Sequence, residues 1–260
     1  MPEDHDTPIE SLAVSLASYN IHRCFGTDGR YTPERTAEVI EALDADIIGL
    51  QEVDMRLLVD GRAQLDYLAD KLQLNGVPGP NIKGRRGKFG NALLTRWPVI
   101  TVSRADLTVR HYEPRGMIVA RLAVRGQPLR VAVTHLGLNA AERRLQVRHL
   151  LAALEEDGTD DIPTIIMGDF NEWRPTRGAL RTIDRRFGQS LMPRTFPSRL
   201  PLLPLDRIWA WPADGLKRLA VYATPLSRIT SDHLPLRAEV SWDAHELPGG
   251  WRRTTTITNV

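Results

Sequence analysis

Cysteine is nearly absent from this chain of 260 residues: Cys24 stands alone. A single thiol excludes an internal disulfide and any thiolate metal cluster, and Cys24 reads as a plain thiol near a strand end rather than a nucleophile. No apolar stretch approaches the roughly 20 residues that cross a bilayer, so no stable membrane insertion is expected. The acidic first ten residues lack the basic start and apolar core of a signal peptide, which makes a cytoplasmic protein the expectation. An excess of one charge is also missing: 34 Lys and Arg face 32 Asp and Glu, a formal net charge of +2. That balance permits a polyanionic partner without requiring one. There is no internal repeat and no linker-like break in composition, and nothing points to an obligate protein partner. The expected organisation is a loose tail over 1–10, one domain over 11–242 and a polar tail over 243–260.

What the chain has is a series of polar clusters at the ends of apolar runs. They are Tyr19-Asn20-Ile21, Leu50-Gln51-Glu52, Thr134-His135-Leu136, Gly168-Asp169-Phe170-Asn171, Leu205-Asp206-Arg207 and Ser231-Asp232-His233. An apolar run that stops at a polar residue reads as a buried strand delivering a side chain to a sheet edge. Helical spacing between the runs, at 33–43, 63–72 and 140–155, adds the strand–helix–strand rhythm of an α/β protein. Thr32 and Asn139 are the expected N-caps, and Leu145, Leu150, Leu151 and Leu154 the apolar stripe of the third helix. Residues 125–128 read as a hairpin turn. The segment 75–90, rich in glycine with Lys83, Arg85, Arg86 and Lys88, reads as an exposed basic loop. The expected architecture is two mixed sheets packed face to face with helices outside and every polar cluster at one end.

The chemistry of the clusters is that of a hard cation and a phosphate. Glu52 and Asp169 follow buried runs, where a carboxylate is costly unless paired or bound to a metal. With amide oxygens from Asn20 or Asn171 they favour Mg²⁺ or Mn²⁺. His233, beside Asp232, can handle a proton near neutral pH, with Asp206 as the carboxylate that orients it. Asn171, His135 and, by position, Arg115 can donate to phosphate oxygens. Taken singly, each cluster has a plain structural reading; six in one consistent order do not. Trp173, Trp209 and Trp211 read as core or rim packing rather than base-stacking platforms.

That order, with Gly168-Asp169-Phe170-Asn171 and Ser231-Asp232-His233 as its most specific pieces and 90–96 as a further matching segment, resembles the endonuclease/exonuclease/phosphatase (DNase I-like) superfamily over residues 12–242. Tyr19 departs from the tryptophan that many members carry before the Asn. The resemblance implies a four-layer α/β sandwich and Mg²⁺-dependent (or Mn²⁺-dependent) hydrolysis of a phosphate ester. It makes Glu52 the main metal ligand, supported by Asn20 and Asp232. Asp169 and Asn171 then position water and phosphate, His135 binds or protonates a phosphate oxygen, and His233 pairs with Asp206. Whether the aspartate or the histidine takes the proton of water stays open. His135-Leu136-Gly137-Leu138, the extension Glu172-Trp173-Arg174 and Arg194-Thr195-Phe196-Pro197 further resemble a small bacterial subgroup often encoded beside cardiolipin synthases. The implied substrate is a diester, of nucleic acid or phospholipid type. A loop at 200–203 bearing Leu200, Leu202 and Leu203 suits the lipid but reads more simply as buried. A phosphomonoesterase and a catalytically inactive phosphate-binding module are the alternatives.

Overall fold

The computed structural model describes residues 11–84, 87–157, 161–174 and 178–243. In chain order, β1 (Ser11–Asn20), α1 (Pro33–Leu43) and β2 (Ile47–Asp54) come first, then a small ribbon of β3 (Leu58–Val59) and β4 (Arg62–Ala63), and α2 (Gln64–Leu72). Five strands follow: β5 (Asn75–Gly84), β6 (Gly87–Thr95), β7 (Val99–Asp106), β8 (Gly116–Val124) and β9 (Gln127–His135). The chain then runs through α3 (Ala140–Glu156), β10 (Thr164–Asp169), α4 (Arg181–Phe187), β11 (Asp206–Trp211), β12 (Leu216–Val221), α5 (Ser227–Thr230) and β13 (Leu236–Asp243).

Two mixed sheets result. One has six strands in the order β12-β13-β1-β2-β6-β5, the other five in the order β11-β10-β9-β8-β7. The pairs β1–β2 and β9–β10 are parallel. The period of two along β1 explains the layering. Leu12, Val14 and Leu16 face the second sheet and join Leu93, Ile118, Val131, Met167 and Ile208 in the central core. Ala17 and Tyr19 face the other way, against Val39, Ile40, Leu43, Leu65 and Leu68 of α1 and α2. On the far side, α3 and α4 cover the second sheet through Leu150, Leu154, Ile183 and Phe187. With both faces of each sheet covered at its centre, the inner strands β2, β9 and β10 are apolar nearly throughout, as the sequence implied. The expected four-layer α/β sandwich, two packed mixed sheets flanked by helices, is the observed fold.

Several local expectations hold for their stated reasons. Asn139 caps α3, its Oδ1 accepting from Ala141 N at 2.8 Å and Glu142 N at 3.4 Å. The β8–β9 turn is Arg125-Gly126, both at positive φ (51° and 80°), the backbone that matches the twist of a two-residue hairpin. Thr32 precedes α1 but makes no side-chain cap; its hydroxyl instead accepts from Arg35 Nη2 at 2.8 Å.

Other expectations need correction. Residues 75–84 and 87–90 are strand rather than loop: β5 pairs with β6 as the edge of the larger sheet. An edge strand tolerates Pro78 and Pro80, which a central strand would not. A Cβ at Gly79 would lie 2.1 Å from Ile118 Cγ1, so this glycine marks close sheet packing rather than flexibility. Arg85, Arg86 and the side chain of Lys83 lie outside the described residues; Lys88 is exposed. The strand β7 escaped the sequence pattern because it too is an edge, exposed at most positions. On α3, Leu145 is only half-buried, while Glu142, Arg143 and Gln146 occupy the buried face of the first turns. Asp243 is not part of a tail: it ends β13 opposite Ser11. Residues 1–10 and 244–260 lie outside the described residues.

Candidate active site

Three of the polar clusters meet by register alone. His135 ends β9, Asp169 ends β10 and Asp206 begins β11, and Asp169 is aligned with both neighbours across the sheet. Gly168 makes this row possible. Its φ is 151°, and a Cβ there would lie 1.9 Å from the carbonyl oxygen of Thr134. Any other residue before Asp169 would push β10 off β9.

The other three clusters come from the first sheet. Asn20 ends β1 and spans the gap between the sheets, its Nδ2 donating to Glu52 Oε1 and to Asp169 Oδ2, each at 3.1 Å. Glu52 sits at an irregularity of β2 between Leu50 and Val53 with φ 59°, a bulge that turns its carboxylate toward the cleft. Asn171, at φ 51°, uses the left-handed backbone that asparagine tolerates. Ser231 Oγ donates to Asn20 O at 2.7 Å, tying the loop before β13 to the end of β1.

His233 is the hinge of the arrangement. Its Nδ1 lies 2.9 Å from Asp206 Oδ2 and its Nε2 3.6 Å from Asp169 Oδ2. Burial opposes its charge, but Asp206, Asp169, the hydrogen bond to Asp206 and Asp232 outweigh that and push its pKa up to about 10. Phe196 packs over the ring at 4.9 Å. His135 is the opposite case. Burial dominates, the nearby Arg115 and His233 add to it against the pull of Asp169, and its pKa falls to about 3. His135 is therefore a neutral imidazole, with Arg115 Nη1 3.4 Å from Nδ1 and Asn171 Nδ2 3.1 Å from Nε2. Two histidines in one cleft are thus held in different charge states by their neighbours.

The acidic side of the cleft suits a divalent cation. Burial raises the pKa of Glu52, and the nearby Asp232 and Asp169 add to it against the Asn20 hydrogen bond and His22. Asp206 Oδ1 is buried with no hydrogen-bond partner among the described residues. An excess of desolvated carboxylate oxygen is the donor set that Mg²⁺ or Mn²⁺ takes. Ligand atoms of Asp169, Asp206 and His233 also lie within 4.8 Å of one another. Both ring nitrogens of His233, however, already face those two carboxylates, so the Glu52 side fits a cation better. Asn20 reaches the acids through its nitrogen, while its Oδ1 accepts from His22 N at 3.0 Å. In this arrangement it holds carboxylates apart, and coordination through oxygen requires the carboxamide to turn over. Asp232 is a third exposed at its side chain and lies 3.9 Å from His22 Nδ1.

A buried polar frame that sequence reasoning missed supports the site from behind. Arg143 of α3 donates to Gly137 O at 3.2 Å and Leu138 O at 2.6 Å, fixing the turn after His135. Its Nη2 reaches Glu172 Oε2 at 3.1 Å, just after Asn171. Arg207 donates to Glu172 O at 3.1 Å and to Pro204 O, and burial lowers its pKa to about 10. The available signal was the polar interruption Glu142-Arg143…Gln146 in a helix that otherwise has an apolar face. Of the tryptophans, Trp209 is buried edge-on to Phe170 at 4.8 Å, and Trp173 is rim, 46% exposed beside Arg143 and Arg174.

Known proteins share this fold. The chain is 31% identical over 252 residues to the uncharacterized protein YbhP of Escherichia coli K12, covering 89% of this chain and 97% of that one. Among solved structures it resembles an endonuclease/exonuclease/phosphatase family protein of Bacteroides thetaiotaomicron (TM-score 0.74, 18% identity, 90% of this chain and 99% of that chain). It also resembles a mannosyl-6-phosphatase of the same organism (TM-score 0.72, 17% identity, 86% and 98%). The human Nocturnin catalytic domain with bound sulfate gives a TM-score of 0.67 at 24% identity, covering 89% and 94%. These likenesses carry the fold. The sequence pattern of the Endonuclease/Exonuclease/phosphatase family matches residues 17–233, from β1 to the last site histidine, and the chain belongs to that family.

Proposed function

We propose that this protein is a divalent-metal-dependent phosphoesterase, in first place a phosphodiesterase, that hydrolyses its substrate by attack of water. The observation that carries this reading is the row His135–Asp169–Asp206 with His233 set between the two carboxylates at 2.9 and 3.6 Å. Phosphoryl transfer to water needs donors for the non-bridging oxygens, a proton relay and charge neutralisation. His135 and Asn171 supply neutral donors, and Arg115 a buried positive charge beside them. His135, being neutral, acts as a donor rather than an acid at neutral pH. Asp169 orients the water and takes its proton, while His233, protonated and held by Asp206, gives its own proton to the leaving group; transfer from Asp169 to His233 across 3.6 Å then restores both groups. Glu52 and Asp232, with Asn20 in reach, would hold Mg²⁺ or Mn²⁺, which supplies charge neutralisation and a more acidic water.

Two observations bear on the substrate. Leu200 and Leu202, expected to be buried, are 65% and 53% exposed on the loop whose Phe196 covers His233. An exposed apolar rim beside the site favours a phospholipid-type diester over nucleic acid, as does the weak net charge of +2. The mannosyl-6-phosphatase likeness keeps a phosphomonoesterase as the second reading. A non-catalytic binding module is disfavoured because Glu52, Asp169, Asp206, Asp232 and His233 are all present. No helix among the described residues is long and apolar enough to cross a membrane, and a cytoplasmic location is part of the proposal.

The test is hydrolysis of bis-(p-nitrophenyl) phosphate and of p-nitrophenyl phosphate with Mg²⁺ or Mn²⁺. Activity is expected that EDTA removes and His233→Ala abolishes. A folded protein inert on a full panel of diesters and monoesters with both metals would overturn the reading.

A further inference from the structure

Beside the site lies a cavity of about 520 Å³. It opens between the edge strands of the two sheets, β5 and β7, with the start of β8 as its floor. Asn81, Ile82, Arg104, Asp106, Thr108 and Arg115 line it. Arg115 belongs to both spaces: it lines the cavity, and its Nη1 lies 3.4 Å from His135 Nδ1. It is 6% exposed, and the same Nη1 lies 3.6 Å from Glu113 Oε1 at the rim.

The rest of the lining is polar and partly uncommitted. Asp106 Oδ1 accepts from Thr108 N at 2.8 Å, and the Thr108 side chain also hydrogen-bonds the carboxylate and holds its pKa down, which fixes an ionised acceptor at the wall with lone pairs beyond these two bonds. Arg104 Nε is fixed on Pro78 O at 2.8 Å, so its guanidinium stays at the mouth. No hydrogen bond engages the Asn81 carboxamide among the described residues. Gly116 makes room for that group, since a Cβ there would lie 2.6 Å from Asn81 Oδ1.

This mixture selects a chemistry. A carboxylate, a carboxamide and a guanidinium around one space suit groups that donate and accept at once, which is what neighbouring hydroxyls do. Among the described residues no aromatic ring lines the cavity, so a nucleobase finds no stacking surface. Asp106 at the wall also disfavours a second phosphate. The volume lies within the range of about 300–1,000 Å³ found for small-ligand sites. We infer that the cavity seats the polyhydroxylated group esterified to the scissile phosphate, a sugar, glycerol or cyclitol, with Asp106 and Asn81 as its specificity residues. This rests on the phosphoesterase reading above.

The experiment compares kcat/KM with Mn²⁺ for two polyol classes, glucose 6-phosphate and glycerophosphoinositol, with those for bis-(p-nitrophenyl) phosphate and the p-nitrophenyl ester of thymidine 5′-monophosphate. Wild-type protein is run beside Asp106→Asn and Asn81→Ala. Asp106→Asn keeps an oxygen for Thr108 N, so the turn survives, and a melting curve checks each variant. In both variants the ratio of polyol to aryl kcat/KM is expected to fall at least tenfold, through KM. Preference for the monoester identifies a free sugar phosphate as the source, and preference for the diester a lipid headgroup. Turnover of the aryl ester with polyol esters no better than the nucleotide ester would overturn this inference and leave the phosphoesterase reading standing. So would variants that lower every substrate alike. A folded protein inert on all four substrates and on the wider panel of diesters and monoesters, with Mg²⁺ as with Mn²⁺, would remove both.

Discussion

Glu172→Gln is the sharpest test of how the site is held. Arg143 and Glu172 side chains are each 1% exposed and meet at 3.1 Å. Removing one partner of a buried ion pair costs about 3–5 kcal/mol, because the remaining charge stays desolvated without compensation. Glutamine conserves volume, so no cavity adds to the loss. Arg143 also keeps its bonds to Gly137 O at 3.2 Å and Leu138 O at 2.6 Å. Both facts place the loss at the low end, about 3 kcal/mol, or a fall in Tm of roughly 6–12 °C for a chain of this size. Arg143→Met leaves the carboxylate to Arg174 alone, whose backbone N donates to it at 3.1 Å and whose half-exposed Nε lies 3.5 Å away, so this single should cost less than Glu172→Gln. The double variant buries no lone charge and should be less destabilised than the two singles together, by at least about 1 kcal/mol. Urea unfolding of the four proteins at pH 7, extrapolated to water, measures this. A loss below about 1 kcal/mol for Glu172→Gln, or strict additivity, would mean that the pair is solvated in the folded protein, and the frame behind His135 and Asn171 would have to be reconsidered.

Asp206→Asn removes the carboxylate that orients His233; turnover should fall by a factor on the order of 10²–10⁴ while the fold persists, and unchanged turnover would refute the pairing. His233 also predicts a pH dependence. With its folded pKa raised to about 10, it contributes stability that is fully present below the unfolded value near 6.5 and is lost as pH rises through about 10. In EDTA the urea midpoint of the wild type should therefore drop more between pH 7 and pH 10 than that of His233→Asn, and parallel pH profiles would contradict the assigned charge state. Cys24 is buried, and burial pushes its thiol up to about 12, so an aromatic disulfide should label it only after unfolding. Labelling of the native protein within minutes would show that the turn after β1 opens.

Strands with both faces covered were legible because covering both faces makes a run apolar throughout, as in 47–50 and 164–167. The helices were legible because one buried stripe recurs at 3.6 residues. Edge strands were not. β5 carries Pro78, Pro80 and three glycines, and β7 alternates weakly because half its surface meets solvent. The buried frame of Arg143, Glu172 and Arg207 was illegible for a related reason. A charged residue in a sequence reads as surface, and only a partner distant in the chain shows that it is buried.

The sequence by itself determined which chemistry was available: the residue types at each strand end, the layer order that apolar periodicity demands, and the family they match. Tertiary structure alone decided what each group is. Asn20 lies within 3.1 Å of Asp169 across 149 residues of chain, and His135 and His233, identical in kind, become a neutral donor and a charged relay. The physical reason is that a side chain's charge and partners depend on desolvation and on neighbours a few ångströms away, and those distances are set by sheet register and packing rather than by position along the chain.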